Sequence, residues 1–367
     1  MKRTLFRVLR RAGGLRAVAS SGWRRDRLLI VCYHGLAFTD EHEWDPSLYV
    51  TPAHLRARLE LLRDEGYRVL PLDEALTRLY DGTLPPRSVA LTFDDGTTDF
   101  ARLAVPLLAE FDAPATVYLT TYYAERRLPV FDVAMRYVLW KGRNGGADLA
   151  PLLGGAGALP LATEGQRAAA AAALVADTRE RGADASAKQA LLVTVADAVG
   201  VSLEELARSG AFHIMAPDVV AALPRGLVDV QLHTHRHRTP RDRDLFLREL
   251  DDNAASIRAM RGRATRLEHF CYPSGEYFGE FLRWLPERDV RFATTCVPAL
   301  ASRDAHPLLL PRFVDGTLQS DETFAAWASG VADRLPRRAA HRLDPARLQP
   351  PRDGGAHAHA TRVDADA

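Results

Sequence analysis

Residues 88–97, Ser88-Val89-Ala90-Leu91-Thr92-Phe93-Asp94-Asp95-Gly96-Thr97, decide the fold. Val89, Ala90, Leu91 and Phe93 make a short apolar run of the kind shown by a strand buried in a parallel sheet. The run stops abruptly on two adjacent carboxylates and a glycine. Packing does not explain that ending, because each acid costs free energy to desolvate and the pair repels. At the C-terminal end of a strand in an α/β protein, the two acids face the crevice where such folds place their chemistry. A bound cation removes the repulsion, leaving one carboxylate as ligand and the other as base. The plain structural alternative is an Asp-Gly turn with Asp94 solvated beside it.

Strand and helix alternate on both sides of this stretch. Leu28 to Tyr33 reads as a second buried strand and also ends on polar residues, His34-Gly35. A helix is expected over 52–66, with Thr51 as N-cap and Pro52 in its first turn. Strand 67–70, helix 72–80, helix 98–111 and strand 115–119 follow. From about 124 to 217 the chain is rich in Ala, Leu and charge, which predicts a helical insertion with Gly-rich loops. The alternation resumes with strand 228–232, helix 244–261, strand 268–272, a helix around 277–288 and strand 291–295. A parallel sheet or barrel is implied.

Composition bounds the partners. In 367 residues, 47% are hydrophobic and 26% charged, with a formal net charge of +1. That balance gives no electrostatic case for nucleic acid. Cys32, Cys271 and Cys296 are too few and too dispersed for a disulfide framework or a Cys-type zinc site, so any metal is held by His and carboxylates. No apolar run is long enough to span a bilayer and no signal segment is evident, which points to the cytoplasm. The basic segment 1–26 carries Leu5, Val8, Leu9, Leu15 and Val18 at helical spacing. It is read as a helix packed on the domain, with peripheral membrane contact as the alternative. The tail, 336–367, has few large apolar residues and is expected to be disordered.

The second informative stretch is His233-Thr234-His235-Arg236-His237, which directly follows strand 228–232. His233 and His237 are four apart, and on a helical turn both imidazoles would point the same way. One Asp and two neutral His leave coordination positions open, as a catalytic divalent cation requires. His235 is expected to be solvated or to support its neighbours.

These residues resemble the polysaccharide deacetylases, the NodB-homology and chitin-deacetylase-like carbohydrate esterases. Thr92-Phe93-Asp94-Asp95-Gly96 matches that family's first motif and His233-Thr234-x-x-His237 its second. Tyr33-His34 and Tyr272-Pro273-Ser274-Gly275 resemble two weaker signatures. The resemblance covers roughly 28–121 and 224–315. It implies a distorted (β/α) barrel of about seven parallel strands over 27–335, carrying the insertion, and metal-dependent removal of acetyl groups from carbohydrate. The expected substrate is an N-acetylated amino sugar of a glycan or glycan precursor. An O-acetyl esterase, another amide hydrolase or a catalytically impaired glycan-binding protein are the alternatives.

The resemblance assigns Asp94 as general base and Asp95, His233 and His237 as ligands of a divalent metal. Zinc is expected, and cobalt or nickel fits the same donors. Thr234, Tyr272 and Pro273 are the expected substrate contacts. Two features depart from the family. No convincing late Leu-x-His supplies a general acid, since His306 follows Asp304-Ala305 in a loop; His34 is the substitute, or else only hydrogen-bonds within the barrel mouth. The Arg that orients the base in many members is replaced by Cys271. Arg312 is expected to reach the site mouth and contact substrate, or to form a structural salt bridge.

Overall fold

The computed structural model describes residues 2–144, 149, 152, 160–336 and 342–348. They divide into two compact units, one built from the chain up to Glu125 and from Met215 onward, the other from Arg126–Ile214.

The first unit is a curled, mostly parallel sheet wrapped by helices. Along the chain its elements are α1 (Lys2–Arg11), β1 (Arg27–Tyr33), β2 (Gly35–Leu36), β3 (Tyr49–Val50), α2 (Pro52–Asp64), β4 (Arg68–Val69), α3 (Leu72–Asp81), β5 (Ser88–Phe93), β6 (Ala115–Leu119), β7 (Val228–Leu232), α4 (Arg243–Arg261), β8 (His269–Cys271), β9 (Phe292–Thr294), β10 (Ala301–Ser302), β11 (Phe313–Val314) and α5 (Asp321–Ser329). The order across the sheet is β10-β1-β5-β6-β7-β8-β9. Leu29–Tyr33 lie in parallel register with Val89–Phe93, and only β10 runs antiparallel, against the start of β1. All six residues of β5 are buried, as its apolar run requires.

The sheet is drawn toward closure by residues the sequence reading left outside any strand. Leu310 bridges to Thr294 after β9, while β11 pairs in parallel with Val31 and Cys32 of β1. The segment 310–314 therefore links the last strand to the first. Inside the curl, Leu28, Ile30, Ala90, Tyr118 and Leu310 form one apolar cluster with Leu72, Leu76 and Leu79 of α3. Each fully buried Leu in it contributes about 1.5–3 kcal/mol. Outside, Phe313 stacks on Trp327 of α5.

Two expected helices are broken differently. Residues 100–104 form a wide π turn before the α-helical Val105–Glu110, at a point where Pro106 offers no N–H. The helix expected around 277–288 is a short turn, Phe281–Trp284, followed by a 3-10 turn that contains Pro286. The N-terminal segment packs on the unit: Phe6 is buried, and Arg7 pairs with Glu322 of α5. Leu5 and Val8 of α1 remain exposed. Arg24 is buried and donates to the carbonyls of Ala328, Arg27 and Ser88, and burial lowers its pKa to about 10. Of the tail read as 336–367, residues 342–348 carry a 3-10 turn, Pro345–Leu348, and just before it Asp344 N–H donates to the Tyr277 hydroxyl. Residues 337–341 and 349–367 lie outside the described residues.

The second unit is helical, with Phe131–Lys141, Glu164–Glu180, Ala185–Val199 and Leu203–Ser209 as its α-helices among the described residues. The last three start on small polar N-caps, Thr163, Asp184 and Ser202, whereas the first follows Val130.

One buried ionic cluster ties α2 to the closing segment. Asp315 accepts from Arg58 Nε at 2.9 Å and the Tyr33 hydroxyl at 3.1 Å, and lies 3.1 Å from His54 Nε2. Arg58 is fully buried and also donates to Gln319 O. Truncating one partner leaves a buried charge uncompensated. Arg58→Leu is therefore expected to cost about 3–5 kcal/mol in urea unfolding. A loss below about 1 kcal/mol, the range of an exposed pair, would contradict this reading of the cluster.

Candidate active site

The two acidic residues at the end of β5 point into different surroundings. Asp95 adopts a left-handed φ of 68° and Gly96 follows at 77°. Aspartate tolerates that region, whereas a Cβ at Gly96 would sit 2.4 Å from Leu119 Cδ1, so glycine is required there. The sharp reversal turns Asp94 inward and Asp95 toward the end of β7.

Asp94 is buried under a guanidinium. Arg312 Nη1 and Nη2 each donate to one Asp94 oxygen at 2.7 Å. Arg312 also donates to Thr92 Oγ1 and Thr295 O, and it is itself fully buried. Burial pushes the Asp94 carboxyl up, but the charge and hydrogen bonds of Arg312, aided by His34 and His233, hold it well below the usual carboxylate range. The thiols of Cys271 and Cys32 close the shell, 3.3 and 3.5 Å from Asp94 Oδ2. His34 Nε2 lies 3.7 Å from that same oxygen, and its Nδ1 is buried without a partner.

Of the two readings of Arg312, the mouth and a structural salt bridge, the structure shows the salt bridge, buried beneath Asp94. Pro311-Arg312 belongs to the closing segment, and the alternation of a strand places Leu310 and Arg312 inward and Phe313 outward. The position filled by Cys271 thus needs no arginine, since Arg312 arrives from the opposite side. The other expected substrate contacts also turn inward. Tyr272 is buried and its hydroxyl donates to Leu308 O, Pro273 is buried, and Thr234 is buried with its hydroxyl accepting from Arg238 N–H.

His233 and His237 converge on Asp95. Both Nε2 atoms lie 3.2 Å from Asp95 Oδ1. They meet across a tight non-helical loop rather than a helical turn, with Thr234 at φ 62° and His237 at φ 53°. A β-branched residue in that region is strained, and such strain clusters at functional sites. Helix α4 holds the loop in place. Asn253 Oδ1 accepts from His233 N–H, and Glu249 Oε2 and Oε1 accept from Arg236 N–H and Arg238 Nε. His235, expected to be solvated or supporting, is buried with Nδ1 2.8 Å from Thr121 Oγ1. Sequence reading missed Glu249 and Asn253. Their signal was two polar residues four apart on the buried face of α4, beside Phe246, Leu250 and Ile257.

The donor set fits a cation. His233 Nδ1 is 2.9 Å from Cys271 O, which can only accept, so the proton of a neutral ring sits on Nδ1. Its Nε2 lone pair then faces the Asp95 carboxylate, acceptor against acceptor, and the contact is favourable only with a positive charge between them. Asp95 Oδ, His233 Nε2 and His237 Nε2 lie close enough together to share one ion. Asp95 is held well below its usual range, since His237 and His233 outweigh the upward push of burial. For His237, burial lowers the pKa and Asp95 raises it, with a net rise.

Asp99, four residues on, is a different acid. Burial pushes it up to about 7, although it accepts from Leu36 N–H at 2.6 Å. Because the folded state then binds the extra proton, its ionisation erodes stability as pH rises from about 4 to about 7. Asp99→Asn keeps the acceptor and is expected to raise the melting temperature more at pH 8 than at pH 5. An equal change at both would contradict the raised pKa.

Comparison with known proteins adds an independent line. Residues 81–150 match the family described as polysaccharide deacetylase. Over 94 residues the chain is 32% identical to YxkH of Bacillus subtilis (strain 168), described by inference as a polysaccharide deacetylase; the match covers 25% of this chain and 32% of that protein. The chain thus spans about a third of the curated relative's length. Among solved structures, Streptococcus pyogenes deacetylase PplD in complex with acetate superposes with a TM-score of 0.54 at 18% identity, over 84% of this chain and 99% of that one. IcaB from Ammonifex degensii superposes with a TM-score of 0.51 at 18% identity, over 83% and 97%. At these identities the likeness is one of fold, a curled (β/α) barrel. Motifs, matched segment and fold agree in their likeness to the polysaccharide deacetylases.

Proposed function

We propose that this protein is a metal-dependent carbohydrate deacetylase that removes the N-acetyl group of an amino sugar. The observation that carries the reading is the contrast between Asp94, clamped by Arg312, and Asp95, facing two imidazoles. Adjacent carboxylates in unlike environments take unlike roles. A divalent cation on Asp95, His233 and His237, most simply zinc, would supply Lewis acidity, polarising the acetyl carbonyl and acidifying a water.

Asp94 is the base for that water. Arg312 fixes both its oxygens, so the carboxylate is aimed before substrate arrives and needs no reorganisation. The same clamp makes Asp94 a reluctant proton holder, and the proton must move on. His34, 3.7 Å away and partly exposed, is the nearest group able to relay it. An amine is a poor leaving group unless protonated, so the relay through His34 favours the N-acetyl over the O-acetyl reaction. One structural neighbour, from Aggregatibacter actinomycetemcomitans, is named a de-N-acetylase, which accords with this choice.

Acetate release from short N-acetylglucosamine oligomers tests the reading. Asp94→Asn should lower kcat by at least about 10²-fold while bound metal is retained. His34→Ala should cost a comparable factor on N-acetyl substrates and much less on an O-acetyl ester, whose alkoxide departs with less help. Full activity in Asp94→Asn, or equal losses on both substrates in His34→Ala, would contradict the respective roles.

A further inference from the structure

The three cysteines, dispersed in the sequence, come together around the Arg312 guanidinium. Arg312 Nη2 is 3.1 Å from Cys271 Sγ and 3.6 Å from Cys296 Sγ, and Cys32 Sγ lies 3.5 Å from the Asp94 oxygen that the same Nη2 holds. Cys32 and Cys271 are fully buried, whereas Cys296 is partly exposed just beyond β9. Its sulfur borders the Tyr272–Gly275 turn, 3.6 Å from where a Cβ on Gly275 would stand. One thiol of the cluster is thus partly exposed and accepts from a guanidinium held fixed behind it. Thiolates form and react in such surroundings.

We propose that Cys296 is a modification site, a reactive thiolate that takes peroxide and soft carbon electrophiles and whose adduct disturbs the Arg312–Asp94 pair. The cluster's electrostatics support it. Its neighbours Cys32 and Arg312 lower the Cys296 pKa to about 6 against burial. Burial pushes Cys32 and Cys271 the other way. With peroxide, the thiolate sulfur attacks one oxygen, an S–O bond forms as the O–O bond breaks, and hydroxide leaves to be protonated by solvent. Sulfur is oxidised by two electrons to a sulfenic acid and peroxide is reduced to water. An oxygen or alkyl group on Sγ would then sit against the Nη2 that also holds Asp94. The ligands proposed above, Asp95, His233 and His237, include no thiol, so the effect of peroxide would run through Cys296 rather than through oxidation of one of them.

The disturbance of turnover rests on the proposed deacetylase reaction; the reactivity of Cys296 does not. The test is therefore mass spectrometry of the full chain after limited iodoacetamide, across pH 5–9, and after equimolar hydrogen peroxide with dimedone as sulfenic-acid trap. Cys296 should be alkylated at least about tenfold faster than Cys32 or Cys271. Its rate should be half-maximal near pH 6, and it alone should carry the dimedone adduct. Equal labelling of all three, protection of Cys296, or a rate rising only above pH 8 would overturn the proposal. If acetate release is observed, Cys296→Ser should retain it and lose its sensitivity to peroxide. Unchanged inactivation in that variant would remove the link to Asp94 while leaving the deacetylase reading intact.

Discussion

A guanidinium and a carboxylate, both removed from water, meet at 2.7 Å beneath the mouth of the barrel, and the rest of the site depends on that contact. Desolvating either group alone is prohibitive, so Asp94 can end a buried strand only if Arg312 is delivered to it. Delivery requires the closing segment 310–314 to lie between β9 and β1. That segment is fixed on one side by Leu310 and Thr294 and on the other by the pairing of Phe313 and Val314 with β1. Barrel closure and the placement of Asp94 are one constraint. Asp315, immediately after β11, extends it by binding Arg58 and Tyr33, which ties the surrounding helix α2 to the same stretch.

The pair also explains how two neighbouring acids can work apart. Asp94 is neutralised from within the barrel and Asp95 from the loop after β7, so the repulsion that makes Asp-Asp improbable at a strand end is resolved twice, by different charges. Helix α4 stabilises the second arrangement. Asn253 and Glu249 fix the backbone of 233–238 in a conformation that Thr234 and His237 would not adopt unaided.

Much of this was legible in the sequence. The apolar run of β5 and its acidic ending, the histidines after β7, and the alternation of strands and helices each reflect local chemistry. What escaped depended on partners distant along the chain. Phe313-Val314 is a two-residue strand, too short to show a period, so for Arg312 the site mouth and a structural salt bridge both stayed open. The absent arginine at Cys271 was visible, but its replacement from the opposite strand appears only once the sheet curls. The same holds for the thiol cluster, since Cys32, Cys271 and Cys296 come together only through closure. Glu249 and Asn253 did leave a trace, as polar residues on the buried face of α4, and a stricter reading of that helix would have found them.

The central claim is that Asp95, His233 and His237 hold one divalent cation beside a base that Arg312 has already positioned. Calorimetric titration of chelator-stripped protein with zinc, for wild type and His233→Ala, tests it most directly. The account predicts one equivalent bound tightly by wild type, and at least about 100-fold weaker binding once an imidazole is removed from the set. A well-folded wild type that takes up no zinc, or a His233→Ala variant that binds it equally well, would contradict it.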